Sequence, residues 1–342
     1  GVGGEHTPIG ADGTIDLSPS NRLFITEAEI ITKLYNGIKL LKEKEDAATL
    51  PALKTKAELA LKANPDNICA QTLLDPEVQA WMATLSPDKL AELALCAKSG
   101  LDNVDSGLGC YAVDPKNYDE FAMFFDKVCE TYHHGGGKIH ETSWSLDGVA
   151  GLPADGGLDL RKLGFEQPLS MRVRVGRNLT SFPLPGLMTK ADRINFEKTM
   201  LKAFDVLKAD PKYGGTVYSL TPDAAWKEVT GQAKNPNLMS DAKYKELVKA
   251  HVMFKDMDAD PYLKSAGIAS DWPCGRGCYR SADGGFIIWF GEEDQLRIMC
   301  MAKGFVLNEV FDRLETALKA VEAIEGIEFA TSSKYGYVTS CP

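Results

Sequence analysis

The chain is 342 residues long, 44% hydrophobic and 25% charged, and carries a net charge of −10. That length accommodates two domains and a substantial buried core. The acidic balance argues against broad nucleic-acid binding, which needs a basic face. No apolar run approaches a membrane span, FIIWF at 286–290 being only strand-sized.

Residues 1–22 are rich in Gly, Pro, Ser and Asp and read as loop, with one short strand near 14–17. They hold Glu5 and His6 between glycines. Thr26 predicts a helix start, Glu29 completes a capping box, and Ile30, Leu34, Ile38 and Leu41 form an apolar stripe that requires a partner surface. Residues 49–68 contain Pro51 and Asn64-Pro65 and read as a linker and lead-in. From Cys69 to Tyr132 the pattern is helical in short pieces, opened at Asp75-Pro76-Glu77 and Ser86-Pro87-Asp88 by a capping side chain followed by proline. The glycine-rich stretch from His133 to Gly157 places a domain boundary near residue 150.

Strand signals dominate beyond it. In SMRVRVGRN (170–178), Met171, Val173 and Val175 fall on one face and Arg172 and Arg174 on the other. FIIWF and DQLRIMCM (294–301) flank Gly291-Glu292-Glu293, which reads as a hairpin turn. Val306 to Ile324 has the spacing of an amphipathic helix, and YGYVTSCP (335–342) reads as a final strand. The expected fold class is α+β: a small all-α domain, then a larger domain with a mainly antiparallel sheet flanked by helices. The units are 1–48, a tail-like loop and helix; 49–68, a linker; 69–150, the helical domain; and 151–342, the α+β domain.

Arg172, Arg174 and Arg297, presented from rigid strands, suit phosphate oxygens, because the guanidinium fork binds them bidentately and stays charged. Solvent-facing strand residues paired with acids would look the same. The acids Glu292, Glu293 and Asp294 make either a surface turn or an anchor for a cation. On the residues alone, Cys341 reads as a small buried strand-end residue and His251 as a partly buried helix histidine. SGLGCYAVD (106–114) is a glycine-punctuated loop whose amides could meet a carboxylate, with Tyr111 beside it. The eight cysteines form no CxxC pair, and Cys274-x3-Cys278 with His133, His134 and His140 has the wrong spacing for zinc, so no metal ligands are assigned. Reduced thiols and a cytoplasmic location are expected.

Together MRVRVGRN, WPCGRGCY (272–279), GEEDQLRIM (291–299), YGYVTSCP, GGEHT (3–7) and SGLGCYAVDPKNY (106–118) resemble the motifs of the phosphagen kinases, the ATP:guanidino phosphotransferases, in their arginine-kinase form. The motif order differs from the family's, in which GGEHT lies at the C-terminus. The resemblance therefore implies a piece of a tandem form: the tail of one unit followed by most of the next, with a contiguous second kinase unit. It implies MgATP and arginine as small-molecule substrates, the metal arriving with the nucleotide, and neither nucleic acid nor membrane as partner. Arg172, Arg174 and Arg297 would hold the phosphates, with His251 against the adenine and His6 beside the nucleotide. Glu293, with Glu5 from a lid, would anchor the guanidinium, and Cys341 would sit against it as a thiolate. Ser106, Gly107 and Leu108 would offer amides to the substrate carboxylate, with Tyr111 adding a hydrogen bond. Departures are Gly291, where the family's turn has Asn, and Gly3, where an arginine is common; two further phosphate-binding arginines have no counterpart here. Another guanidino substrate such as taurocyamine, or a catalytically weak, non-enzymatic unit of a tandem array, are the alternatives.

Overall fold

The computed structural model describes residues 49–134, 143–145 and 157–342. Glu5, His6, His140, the 26–41 stripe and the boundary expected near residue 150 lie outside the described residues.

The stretch expected as a linker is instead helix α1 (Leu50–Ala63). Pro51 does not break it, because at the first turn proline removes only an amide that has no intrahelical partner. Leu53, Ala57 and Ala60 bury α1 in the core of the helical unit. The unit continues with α2 (Ile68–Leu74), α3 (Pro76–Met82), α4 (Pro87–Asp102), α5 (Asn117–Glu120) and α6 (Ala122–His133). The expected caps form: Asp75 accepts the Glu77 and Val78 amides at 2.9 and 3.2 Å, and Ser86 accepts Lys89 at 3.3 Å.

The larger unit is a five-stranded antiparallel sheet in the order β1-β5-β4-β3-β2. Its strands are β1 (Leu169–Arg177), β2 (Gly215–Ser219), β3 (Gly277–Ser281), β4 (Phe286–Phe290) and β5 (Leu296–Gly304). One face packs on α7 (Lys190–Ala209) and α11 (Leu307–Glu322), burying Phe196, Phe204, Ile288, Ile298, Leu314 and Leu318. Between β2 and β3 run α8 (Asp223–Thr230), α9 (Asp241–Lys249) and α10 (Pro261–Ser265). Leu247 of α9 and the following Val252, Met253 and Phe254 cover part of the other face, over Ile287, Trp289 and Met299.

The β1–β5 register pairs Arg172 with Met301, Arg174 with Met299 and Gly176 with Arg297, and Trp289 pairs with Arg297 across β4–β5. Residues opposite each other share a face, so all three arginines lie on the side of Trp289 and Met299. The final strand is shorter than expected. β6 (Thr331–Ser332) and β7 (Gly336–Tyr337) pair only with each other. Val338 then bonds Ala330, and Thr339–Cys341 leaves the ladder because the Ser340 amide donates to Asp294 instead.

The two units meet along this segment. Ala112 N–H donates to Ser340 O at 2.7 Å and the Tyr118 hydroxyl to Thr339 O at 2.9 Å, while Asn103, just after α4, donates its Nδ2 to the Ser265 hydroxyl of α10 at 2.7 Å. No helix among the described residues is long and apolar enough to cross a membrane.

Candidate active site

The turn 291–295 between β4 and β5 gathers the acids. Gly291 opens it at φ +74°, with its amide on Gln295 O at 2.9 Å. A Cβ at Gly291 would lie 2.2 Å from Gly275 O, so the glycine at this position accompanies close backbone packing. Arg276, fully buried, clamps the turn from below: its guanidinium donates to Gly291 O, Cys274 O, Ile268 O and Ser270 O at 3.1, 2.6, 2.8 and 2.8 Å. Gln295 fastens the far end, taking the Leu179 amide at 2.7 Å and donating its own amide to Asn178 Oδ1 at 2.8 Å. Asp294, buried, accepts Asn178 Nδ2 at 3.0 Å and the Ser340 amide at 2.7 Å. The end of β1, the acidic turn and the segment carrying Cys341 are thus tied at one point.

Glu292 and Glu293 accept from Arg297 Nε and Nη2 at 3.0 and 2.6 Å, and Asp294 lies 3.3 Å from Nη2. Arg297, expected among the phosphate-binding arginines, is here paired with its own turn. The cluster keeps an excess of negative charge, which suits a cation. Burial first, then Asp294 and Glu292, push the Glu293 carboxyl above its ordinary value against the pull of Arg297 and Arg174.

Cys341 does not meet the expectation of a thiolate. Burial, with Glu293 and Asp294 adding to it, pushes its thiol up to about 12. Tyr111 shares these surroundings: its hydroxyl is pushed up by burial and then by Cys341 and Glu293. Tyr111 of the 106–114 loop, the acid Glu293 and the thiol of Cys341 therefore converge from three distant stretches. Of the expected carboxylate-binding amides, Ser106 N–H is already spent on Asn103 O at 3.0 Å. Those of Gly107 and Leu108 carry no hydrogen bond among the described residues. The loop's shape is enforced by Gly109 at φ +71°, whose Cβ would collide with Gly100 of α4 at 2.3 Å.

Next to the turn lies a cavity of about 430 Å³ lined by Arg172, Arg174, Trp289, Glu292 and the loop from His251 to Met257. Arg172 and Arg174 are exposed, and neither has a carboxylate partner among the described residues. His251 takes φ +57° and Trp289 Nε1 donates to Val252 O at 2.6 Å, which holds this loop against the sheet. The arrangement is two free guanidinium groups and an imidazole beside a flat indole, next to a carboxylate cluster. It can take a polyanion on one side and a cation on the other. Among the described residues no group of three or more His, Cys, Asp or Glu could hold a metal ion.

Residues 65–130 match the model of the ATP:guanido phosphotransferase N-terminal domain, and 215–342 that of the C-terminal catalytic domain. The arginine kinase of Artemia franciscana is 33% identical over 302 residues, covering 87% of this chain and 76% of that protein. The chain belongs to the ATP:guanido phosphotransferase, or phosphagen kinase, family. The arginine kinase of Anthopleura japonica is 32% identical over 348 residues and the taurocyamine kinase of Schistosoma mansoni 30% over 361. The chain spans 44% of the length of each of these two. Among solved structures, the duplicated taurocyamine kinase from S. mansoni with bound transition state analog components matches with a TM-score of 0.67 at 28% identity, covering 91% of this chain and 43% of that one.

Sequence reasoning missed three residues that hold this candidate site together, Asn178, Arg276 and Gln295, and read Asp294 only as one of three turn acids. Two signals were available, the Arg-Asn pair ending β1 and the arginine inside WPCGRGCY.

Proposed function

We propose that this chain carries the phosphotransfer site of a guanidino kinase that moves the γ-phosphoryl of MgATP reversibly to the guanidino group of arginine. The observation that carries the reading is the convergence of Glu293, Cys341 and Tyr111 beside the cavity of Arg172, Arg174 and His251. In this reading the two strand arginines take the phosphates and His251 with Trp289 flanks the base; Mg²⁺ comes with the nucleotide. Glu293 accepts the guanidinium and, with that cation in place, its carboxyl and the Cys341 thiol both gain a partner that favours their charged forms. Arg297 trades part of its pairing with Glu292 and Glu293 for the transferring phosphoryl. The chain's contribution is alignment of the two substrates and neutralisation of charge that develops between them.

Arginine as substrate is supported by the arginine kinases among the relatives and by the Ser106–Tyr111 loop, where the Gly107 and Leu108 amides can meet a carboxylate. Taurocyamine is the second reading, favoured by the structural match to a taurocyamine kinase. A contiguous second kinase unit belongs to the same proposal, supported by the alignment of the whole chain with 44% of two relatives. A cytoplasmic location fits eight free cysteines.

Coupled ATP-consumption assays of the full protein, with arginine and taurocyamine in parallel, test the reading. Preferential turnover of arginine, lost in Glu293→Gln, is expected. Preference for taurocyamine would overturn the substrate, and undiminished activity of Glu293→Gln would overturn the role of that acid.

A further inference from the structure

Glu197, on α7, is fully buried and takes no part in the chemistry above. Its carboxylate accepts the Ser219 hydroxyl at 2.5 Å and the Thr221 hydroxyl, with Asn235 Nδ2 at 3.4 Å. No lysine or arginine pairs with it among the described residues. Of the elements packed against it, β2 contributes Ser219, the second residue beyond β2 is Thr221, and the 232–238 segment contributes Asn235. The loop before β3 contributes a titratable group, Cys274, whose thiol is pushed up by its own burial and, to a lesser extent, by Glu197.

Thr221 passes the contact on. Its Oγ1 accepts the Gly275 amide at 2.7 Å while its proton points to Glu197. Gly275 presses its carbonyl against Gly291, and Arg276, the next residue, holds Gly291 O. Gly291 is followed directly by Glu292 and Glu293. An unbroken path therefore runs from the Glu197 carboxylate through the Thr221 hydroxyl, the Gly275 amide and the Arg276 guanidinium to the acidic turn.

We propose that Glu197 is a positioning residue: acting through Thr221 and Gly275, its carboxylate sets the seat on which the turn carrying Glu292 and Glu293 rests. The proposal rests on reading that turn as the guanidino site. Donor and acceptor counting gives the mechanism. An ionised Glu197 only accepts, so both hydroxyls donate to it and a Thr221 lone pair is left for Gly275. Ser219 Oγ already accepts the Thr221 amide at 3.1 Å and Asn235 Nδ2 at 2.8 Å, so both its lone pairs are in use. A protonated Glu197 can then donate only to Thr221, whose second lone pair receives it; the Thr221 proton must turn away from the carboxyl, and the reoriented hydroxyl holds the Gly275 amide at a changed angle and polarity. Burial without a cation pushes the Glu197 carboxyl up to about 7, so this exchange falls near neutral pH.

Glycine-selective ¹⁵N NMR of the full chain, titrated from about pH 5.5 to about 8.5 around that midpoint, tests the relay. The Gly275 and Gly291 amides should shift together with a midpoint near 7 in the wild type and stay flat in Glu197→Gln, while Gly164 does not move in either. In Thr221→Val, which cuts the relay and leaves Glu197 in place, both amides should also stay flat. The pH profile of kcat should lose its acid limb in Glu197→Gln, with kcat lowered about fivefold, the size expected for one loosened hydrogen bond. Amides that do not titrate in the wild type, or that titrate unchanged in both variants, would overturn the proposal. Amides that titrate as expected in a protein that phosphorylates no guanidino compound would uphold the relay and overturn the reading of the turn's chemistry.

Discussion

Asp294→Asn is the substitution whose cost the structure fixes best. Oδ1 of Asp294 accepts both Asn178 Nδ2 and the Ser340 amide, while Oδ2 faces Arg297 Nη2 at 3.3 Å. Turned over, an asparagine would set its NH2 against the Asn178 Nδ2 and Ser340 N–H donors, so its oxygen takes the Oδ1 position. An asparagine with its oxygen at the Oδ1 position keeps both bonds but loses their charge assistance, about 1 kcal/mol each. Its amide then meets Arg297 donor to donor, adding about 1 kcal/mol, for a total of about 3 kcal/mol. Asp294→Ala loses both acceptors and leaves the buried Ser340 amide unpaired, raising the cost to about 4–5 kcal/mol. Arg297 keeps Glu292 and Glu293 in either variant, so no uncompensated charge is added. Urea unfolding at unchanged m-value measures both losses. An Asp294→Asn protein within about 0.5 kcal/mol of wild type, or an alanine variant no worse than the asparagine one, would refute the claim that Oδ1 ties the Cys341 segment to the acidic turn.

Gly291→Ala should cost about 2–4 kcal/mol, because it adds a Cβ 2.2 Å from Gly275 O at a positive φ; thermal unfolding checks this, and a neutral result means that the backbone contact is not tight. Cys341 should be alkylated slowly by iodoacetamide at pH 8, its thiol being pushed up to about 12, and faster in Glu293→Gln, which removes a negative neighbour of the thiolate. Glu197 should make stability fall as pH rises from its ordinary 4.5 to about 7, since the native state there holds a proton that the unfolded chain has lost. The size is on the order of 3 kcal/mol, and Glu197→Gln should flatten that window in urea midpoints measured against pH.

What was legible in the sequence is what local periodicity and capping control. The alternation in MRVRV put Arg172 and Arg174 on one face, the turn between FIIWF and DQLRIMCM formed but takes in Asp294 and Gln295 as well, and Asp75 and Ser86 cap helices because short polar side chains and a following proline act within one turn. Misreadings came where a local signal has two meanings. Pro51 reads as a break or as a first-turn residue, and only the burial of Leu53, Ala57 and Ala60 decides between them. The 335–342 run has strand composition, yet only Gly336 and Tyr337 pair in a ladder, and beyond them the Val338 and Ser340 amides go to Ala330 and Asp294. The supports of the site were illegible for a different reason. Asn178 meets Asp294 and Gln295 across more than a hundred residues, and no spacing rule reaches that far. The state of the Cys341 thiol depends on burial and on Glu293, neither of which the sequence displays.

The central claim is that the cavity of Arg172, Arg174 and His251 receives the nucleotide phosphates. Isothermal titration of MgADP into the wild-type chain and into an Arg172→Ala/Arg174→Ala variant tests it most directly. With two charge-assisted contacts removed at about 1.5–3 kcal/mol each, affinity should fall by about 100-fold or more. Equal affinity in the two proteins would contradict the assignment of this cavity.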